Sequence, residues 1–353
     1  MPAYVHGGDV YTYASRYGGA PLDLSANINP FGTPEGVRQA MQDALSRCAC
    51  YPDPFCRAAR RAISAAEGVP ADWLYCGNGA ADVLDRLAAA LRPRTALLTV
   101  PTFAAYERTL AGAQLRFHPL RVEEEFTLTG RLLDDIVPGL DAVYLCNPNN
   151  PTGRTADPAL LRAVARRCAA NGTWLVVDEC FSDFLTDSAQ HTLKELLGAQ
   201  PRLVLLRAYT KMYAVPGVRF GWCMTANAAL VDALYRAGQP WNVSVIAQAC
   251  AEAAAREQDY AQRTAARIAD ERAYLAEELQ RRGLNVYKSE VNFLLFRAAE
   301  QDLQQQLAAR GVLLRSMLHD RGLGAGWYRT AVKTRQDSRT LLAALDEIRR
   351  EER

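Results

Sequence analysis

The sequence lacks any run of about 18 uninterrupted apolar residues, the length that a membrane-spanning helix needs. Met1–Tyr13 shows no basic segment followed by an apolar stretch, so no secretory leader is read there and a cytosolic location is expected. Histidine is scarce, with 4 in 353 residues, and the 9 cysteines are odd in number and form no C-x-x-C pair. That pattern excludes a disulfide framework and a familiar zinc site, and the cysteines read as reduced thiols. Cys48, Cys50 and Cys56 lie close together, but no histidine stands near them to complete a metal site. A surplus of one charge is missing too: 41 Lys and Arg face 39 Asp and Glu, and the arginines are scattered. A nucleic-acid or membrane surface is thereby disfavoured, and a small-molecule ligand is expected. Neither an internal repeat nor a low-complexity segment is present.

What the chain does have is alternation. From about residue 70 to 225, short apolar runs alternate with helical patterns, which predicts an α/β domain with a mostly parallel sheet. Thr95–Val100, Ala142–Cys146, Thr173–Val177, Leu203–Leu206 and Phe220–Met224 are the expected strands, apolar along their whole length as doubly covered strands are. Helices are expected at Ala80–Leu91, Phe103–Ala111 and Pro158–Ala170. Val245–Arg282 reads as one long connecting helix with Gly283 as its stop, and a compact α+β unit follows. Pro34–Cys48 reads as a helix packed on that unit. Three regions are expected: 1–45 as an arm and part of a small domain, 46–240 as a large domain, and 241–353 as connecting helix and small domain.

Chemistry concentrates at the expected strand ends, where an open α/β sheet binds its ligand. Residues 207–221, R-A-Y-T-K-M-Y-A-V-P-G-V-R-F-G, place Lys211 on a turn-rich loop after a strand. Alone, such a lysine is ordinarily a solvated charge. Two other strand ends change its meaning: N-P-N-N-P-T-G at 147–153 holds Asn150, and V-V-D-E at 176–179 holds Asp178. Taken separately these would be a turn residue before proline and a helix cap. Together they supply what pyridoxal 5′-phosphate (PLP) requires: an amine to form a Schiff base, a desolvated carboxylate for the pyridine nitrogen and a donor to the phenolic oxygen. C-G-N-G-A-A-D at 76–82 enters the helix at Ala80, so the backbone N–H groups around Gly79, Ala80 and Ala81 form a candidate phosphate cradle. Phe103, in P-T-F, fits a ring that stacks on the cofactor, although a lone Phe there would otherwise be core. Thr210 could add a hydroxyl to the phosphate.

These residues resemble the fold-type I aspartate aminotransferase superfamily, from the N-terminal arm to about Arg335. The resemblance implies a large domain built on a mostly parallel, seven-stranded sheet with a small α+β domain. It further implies Lys211 as the Schiff-base lysine, Asn150 and Asp178 as ring partners, Arg219 as a phosphate ligand and Arg329, in W-Y-R-T-A-V, at the substrate carboxylate. Arg315, 14 residues before Arg329, matches the second substrate arginine, with the choice between carboxylate and phosphate open. Y-P-D-P at 51–54 resembles the segment whose tyrosine reaches the partner's cofactor, so Tyr51 implies a homodimer with shared sites. Position 208, often Ser or Thr in relatives, is Ala here.

Within the superfamily, H-G-G-D at 6–9, L-S-A-N-I-N-P-F-G at 24–32 and D-E-C-F-S-D-F at 178–184 resemble the threonine-phosphate decarboxylases of cobalamin biosynthesis. Histidinol-phosphate aminotransferases are close relatives, with N-E-N-P and D-E-A-Y where this chain has Asn27-Ile28-Asn29-Pro30 and Asp178-Glu179-Cys180-Phe181. Ile28 and Phe181 favour the decarboxylase. Implied are decarboxylation of L-threonine O-3-phosphate to 1-aminopropan-2-ol phosphate, with histidinol-phosphate-type transamination as the alternative, and a substrate site formed by His6, Gly7, Gly8, Asn29, Arg315 and Arg329. Asp9 departs from the Asn common in relatives, and a carboxylate facing a phosphate would be unfavourable. A non-catalytic sensor on the same fold is a third reading, against which the full set of site residues stands.

Overall fold

The computed structural model describes residues 7–351. An arm opens with helix α1 (Val10–Tyr17), whose start is fixed by the Asp9 carboxylate accepting from the Thr12 N–H at 3.0 Å. Strand β1 (Leu22–Asp23) and helix α2 (Glu35–Ala44) follow, and helix α3 (Arg57–Glu67) leads into the large sheet.

That sheet holds β2 (Leu74–Gly77), β3 (Thr95–Val100), β4 (Gln114–Pro119), β5 (Ala142–Cys146), β6 (Trp174–Asp178), β7 (Leu203–Arg207) and β8 (Gly221–Met224). Their order is β2-β8-β7-β6-β5-β3-β4, and β8 alone runs antiparallel to its neighbours. The continuously apolar runs make sense because two cores meet on this sheet. Leu97, Val143, Leu145, Leu175, Val177, Leu203 and Leu205 pack into one, and Ala96, Leu98, Ala142, Tyr144, Val176, Val204 and Leu206 into the other. Successive side chains point to opposite faces, so a strand buried on both has no polar position to offer. The sequence runs named above contain neither β2 nor β4. At the sheet edge, β4 alternates exposed and partly covered residues, and β2 is short and glycine-ended.

Helices α4 (Ala80–Leu91), α5 (Ala105–Thr109), α6 (Leu132–Asp135), α7 (Pro158–Asn171) and α8 (Ala228–Arg236) cover the two faces. Helix α7 shows why its ends fall where they do: the Asp157 carboxylate accepts from the Leu160 N–H, Pro158 takes the first helical position, and Gly172 ends it at φ 66°.

The single connecting helix expected over 245–282 is two, α9 (Val245–Ala254) and α10 (Gln258–Arg281). At the break, the N–H groups of Arg256 and Glu257 bond the carbonyls three residues back instead of four. The small sheet has the order β12-β13-β10-β9, with β9 (Asn285–Val286), β10 (Phe293–Arg297), β12 (Arg315–Ser316) and β13 (Trp327–Ala331) all antiparallel. Helices α11 (Leu303–Ala309) and α12 (Arg335–Glu351) complete this unit. Strand β11 (Val312–Leu313) pairs in parallel with β1, tying the arm to the C-terminal part of the chain. Helix α2, expected on the C-terminal α+β unit, packs chiefly on α9, the first connecting helix. No helix of the described residues is long and apolar enough to cross a membrane.

Candidate active site

A cavity of about 710 Å³ opens where β5, β6 and β7 end, bounded on the other side by the arm and by β12 and β13. Lys211 lies on its wall, four residues past β7. Its loop is fixed from behind: the Asn29 N–H bonds the Lys211 carbonyl at 3.1 Å, and the Asn29 amide donates to the Met212 carbonyl at 2.6 Å and to the Tyr260 hydroxyl at 2.8 Å. Burial, reinforced by the Arg329 and Arg219 guanidinium groups, lowers the Lys211 ammonium pKa to about 8, so a useful fraction is neutral and nucleophilic near neutral pH.

Asp178 ends β6 and is buried. One carboxylate oxygen accepts from the Tyr106 hydroxyl at 2.7 Å and the other from the Cys180 N–H at 3.0 Å. Burial raises its pKa, and the two donors and the nearby Lys211 oppose that rise. Behind it, the Arg207 guanidinium meets the Glu179 carboxylate at 3.1 Å and joins the ends of β6 and β7. Asn150 lies beyond β5 in a loop held by Asn149, whose amide donates to the Pro101 carbonyl at 3.0 Å and the Thr152 hydroxyl at 2.9 Å.

The end of the cavity at the start of α4 is built from backbone. Helix α4 has no side-chain cap, and Ala80 and Ala81 of its first turn line the cavity together with Thr210 and Arg219. A Cβ on Gly79, at φ +85°, would lie 2.3 Å from the Arg219 Nη2. The guanidinium therefore occupies space that only glycine leaves, and it is held there by the Pro216 carbonyl at 3.0 Å from Nη1. Open N–H groups at a helix start beside a fixed guanidinium suit a phosphate, and a lysine and a buried carboxylate further in suit a pyridoxal ring. Gly79→Ala adds a clash with the Arg219 guanidinium and a backbone strained at φ +85°, and is expected to weaken PLP binding about tenfold by displacing Arg219. A fluorescence titration of the apoenzyme with PLP checks this.

On the wall formed by β12 and β13, Arg329 is buried. Its Nη1 donates to the Asn150 side-chain oxygen at 2.5 Å and its Nη2 to the Ser25 carbonyl at 2.8 Å, while Nε has no partner among the described residues. Burial, then the neighbouring Arg315, lowers its pKa to about 9. Arg315 lines the same cavity and meets the Asp320 carboxylate at 3.2 Å.

Most of the expected residues converge: Gly7, Gly8, Ala80, Ala81, Phe103, Asn150, Asp178, Thr210, Lys211, Arg219, Arg315 and Arg329 all face this cavity, with Gly79 directly behind Arg219. Asn29 does not. Its side chain is spent on the lysine loop and on the Phe31 N–H, so it shapes the site from outside. Its neighbour Asn27 faces the cavity instead, with a buried side-chain oxygen that has no partner among the described residues. Tyr51 also lies apart: it is 80% exposed and stacks on Trp241 with ring centroids 4.8 Å apart. His6 lies outside the described residues. Asp9 is turned into its own helix as the cap of α1, which removes the conflict with a phosphate. Of the clustered cysteines, Cys56 is buried while Cys48 and Cys50 are exposed. Tyr106 escaped the sequence reading, although it stands only three residues after Phe103 and meets that ring edge-on with centroids 5.6 Å apart.

A lysine, a buried carboxylate and an arginine-backed helix start, set at the strand ends of this sheet, define a fold-type I PLP-dependent enzyme. The sequence profile of the aminotransferase class I and II family matches residues 20–345, and the chain belongs to that family. PLP is its cofactor. Among curated proteins, the threonine-phosphate decarboxylase of Salmonella typhimurium is 35% identical over 351 residues, covering 97% of this chain and 96% of that protein. Histidinol-phosphate aminotransferase 1 of Cupriavidus pinatubonensis is 30% identical, covering 97% and 93%. The crystal structure of the histidinol-phosphate aminotransferase from Clostridium acetobutylicum superposes with a TM-score of 0.87 at 25% identity, covering 93% of this chain and 99% of that one.

Proposed function

We propose that the protein decarboxylates L-threonine O-3-phosphate to 1-aminopropan-2-ol phosphate. The observation that carries this reading is Phe181. Its ring is buried on the cavity wall, edge-on to Phe293 at 5.0 Å, so an apolar face stands where histidinol-phosphate aminotransferases usually carry a tyrosine hydroxyl. The 35% identity to a threonine-phosphate decarboxylase supports the same choice.

In this reading, the backbone at Ala80 and Ala81 with Thr210, Arg219 and Gly79 holds the cofactor phosphate, Phe103 covers the ring, Asn150 serves the phenolic oxygen and Asp178 keeps a proton on the pyridine nitrogen. The bound cofactor supplies an electron sink for the bond broken at the substrate Cα. Arg329 and Arg315 bind the substrate's carboxylate and phosphate, with Asn27 and the Gly7–Gly8 backbone close by. How they orient the substrate decides which Cα bond breaks. Lys211 Nζ would hold the cofactor in the resting enzyme and, once the substrate amine has freed it, would carry the proton returned to Cα. Tyr51, exposed in the single chain, completes the phosphate site of a second copy in a homodimer.

The test is product analysis. With threonine O-phosphate and no keto acid, stoichiometric CO₂ and amine release is expected. No CO₂ at saturating substrate, together with amino-group transfer from histidinol phosphate to 2-oxoglutarate, would replace this reading by the aminotransferase one.

A further inference from the structure

We infer that the Asp320 carboxylate tempers the anion affinity of the substrate arginines by offsetting the charge of Arg315. The inference rests on the proposed phosphorylated substrate and extends it to how tightly that substrate and its product are held.

Arg315 and Arg329 are direct cross-strand partners of β12 and β13. Like charges in that arrangement repel, and both side chains are largely withdrawn from water, where the repulsion is least screened. Asp320 sits against this pair on the cavity wall. Its Oδ2 lies 3.2 Å from the Arg315 Nη2, with side-chain exposures of 7% for Asp320 and 13% for Arg315.

The carboxylate cannot drift away with its loop. The Asp320 N–H bonds the Met317 carbonyl at 3.1 Å, and the Asp320 carbonyl accepts from Leu323 at 3.1 Å. The next residue, Arg321, grips both Glu107 carboxylate oxygens, at 3.0 and 2.9 Å, and lies 4.2 Å over the Phe117 ring. A Cβ on Gly322 would come within 3.2 Å of the Pro101 nitrogen, so the loop is seated on the large sheet's edge.

An anion entering the part of the cavity beside β12 and β13 thus meets, among the described residues, the Arg315 and Arg329 guanidinium groups with the Asp320 carboxylate fixed beside them, and the Asp23 carboxylate also acts on Arg329. The Asp320 carboxylate offsets part of the guanidinium charge in the free enzyme and so subtracts from the attraction felt by the ligand. Substrate and amine product share the phosphate, so unopposed arginines would grip both, and tight uniform binding lowers KM without raising kcat. Asp320 reduces that uniform component.

A purely structural Asp320, needed only to hold the Arg315 rotamer, makes the opposite prediction: its loss would weaken anion binding. Calorimetric titration of PLP-loaded enzyme with inorganic phosphate separates the two, since the cofactor already fills the Arg219 site. Asp320→Asn is expected to tighten phosphate binding about tenfold. KM for threonine O-phosphate should fall in parallel, with kcat unchanged or lower. Asp320→Ser removes the charge through a smaller side chain and serves where the asparagine variant does not fold. Equal or weaker phosphate binding in the folded variant overturns the inference, as does the absence of phosphate binding in both proteins. The titration needs no turnover: a tenfold shift in a protein that releases no CO₂ sinks only the functional reading, and an unshifted affinity in an active decarboxylase sinks only the role of Asp320.

Discussion

Lys211→Ala is expected to lower turnover about 10⁴-fold or more while leaving PLP bound by its phosphate. The expectation follows from where the amine stands. Every other cofactor contact described above is made by a different element, the α4 start, the Asn150 loop, β6 or the Arg219 turn, so the alanine variant loses the reacting group without losing the cradle. The pH dependence carries a sign. With an ammonium pKa near 8, about one lysine in ten is neutral at pH 7, against a few in ten thousand for an unperturbed lysine. PLP capture by the apoenzyme should therefore accelerate as pH rises to about 8 and level off above it. Borohydride reduction followed by peptide mass measurement reads the capture directly. Label on any lysine other than Lys211, or unchanged turnover in the alanine variant, would contradict the assignment.

Asp178→Asn is expected to cost about 10³-fold in kcat, with PLP affinity changed far less. The amide keeps the shape but cannot hold a cation at the pyridine nitrogen. In the parent, the carboxylate charge is expensive because it is buried, and it is kept by the Tyr106 hydroxyl at 2.7 Å and the Cys180 N–H at 3.0 Å. Tyr106 belongs to the same unit, and its own hydroxyl is held protonated by burial and by the Asp178 charge. Steady-state kinetics beside a PLP titration checks the expectation. A parallel loss of affinity and kcat would mean that the variant disturbs the whole pocket.

The five interior strand runs were legible because burial on both faces leaves no polar position, and that signal is local. Edge strand β4 and the short β2 were not, since one alternates and the other is too brief for a pattern. The break between α9 and α10 has no proline or glycine to announce it; residues 255–257 are Ala, Arg and Glu. At the site, Lys211, Asp178, Asn150 and Arg219 could be read from motifs because each stands in a short conspicuous segment. Asn29 and Asn27 could not be told apart, since residues two apart differ only in which way the local turn points them. Asp320 was invisible: a single acid in a loop acquires meaning only from the guanidinium it faces.

The contact between Arg329 and the Ser25 carbonyl joins positions 304 residues apart, and β1 closes against β11 across a similar span. The cofactor half of the cavity, between residues 77 and 221, can assemble from contacts nearer in sequence. Its substrate half waits for both ends of the chain to meet. During synthesis, then, the residues of the cofactor half have all left the ribosome before the last strand of the small sheet, and the other half can close only once that strand follows.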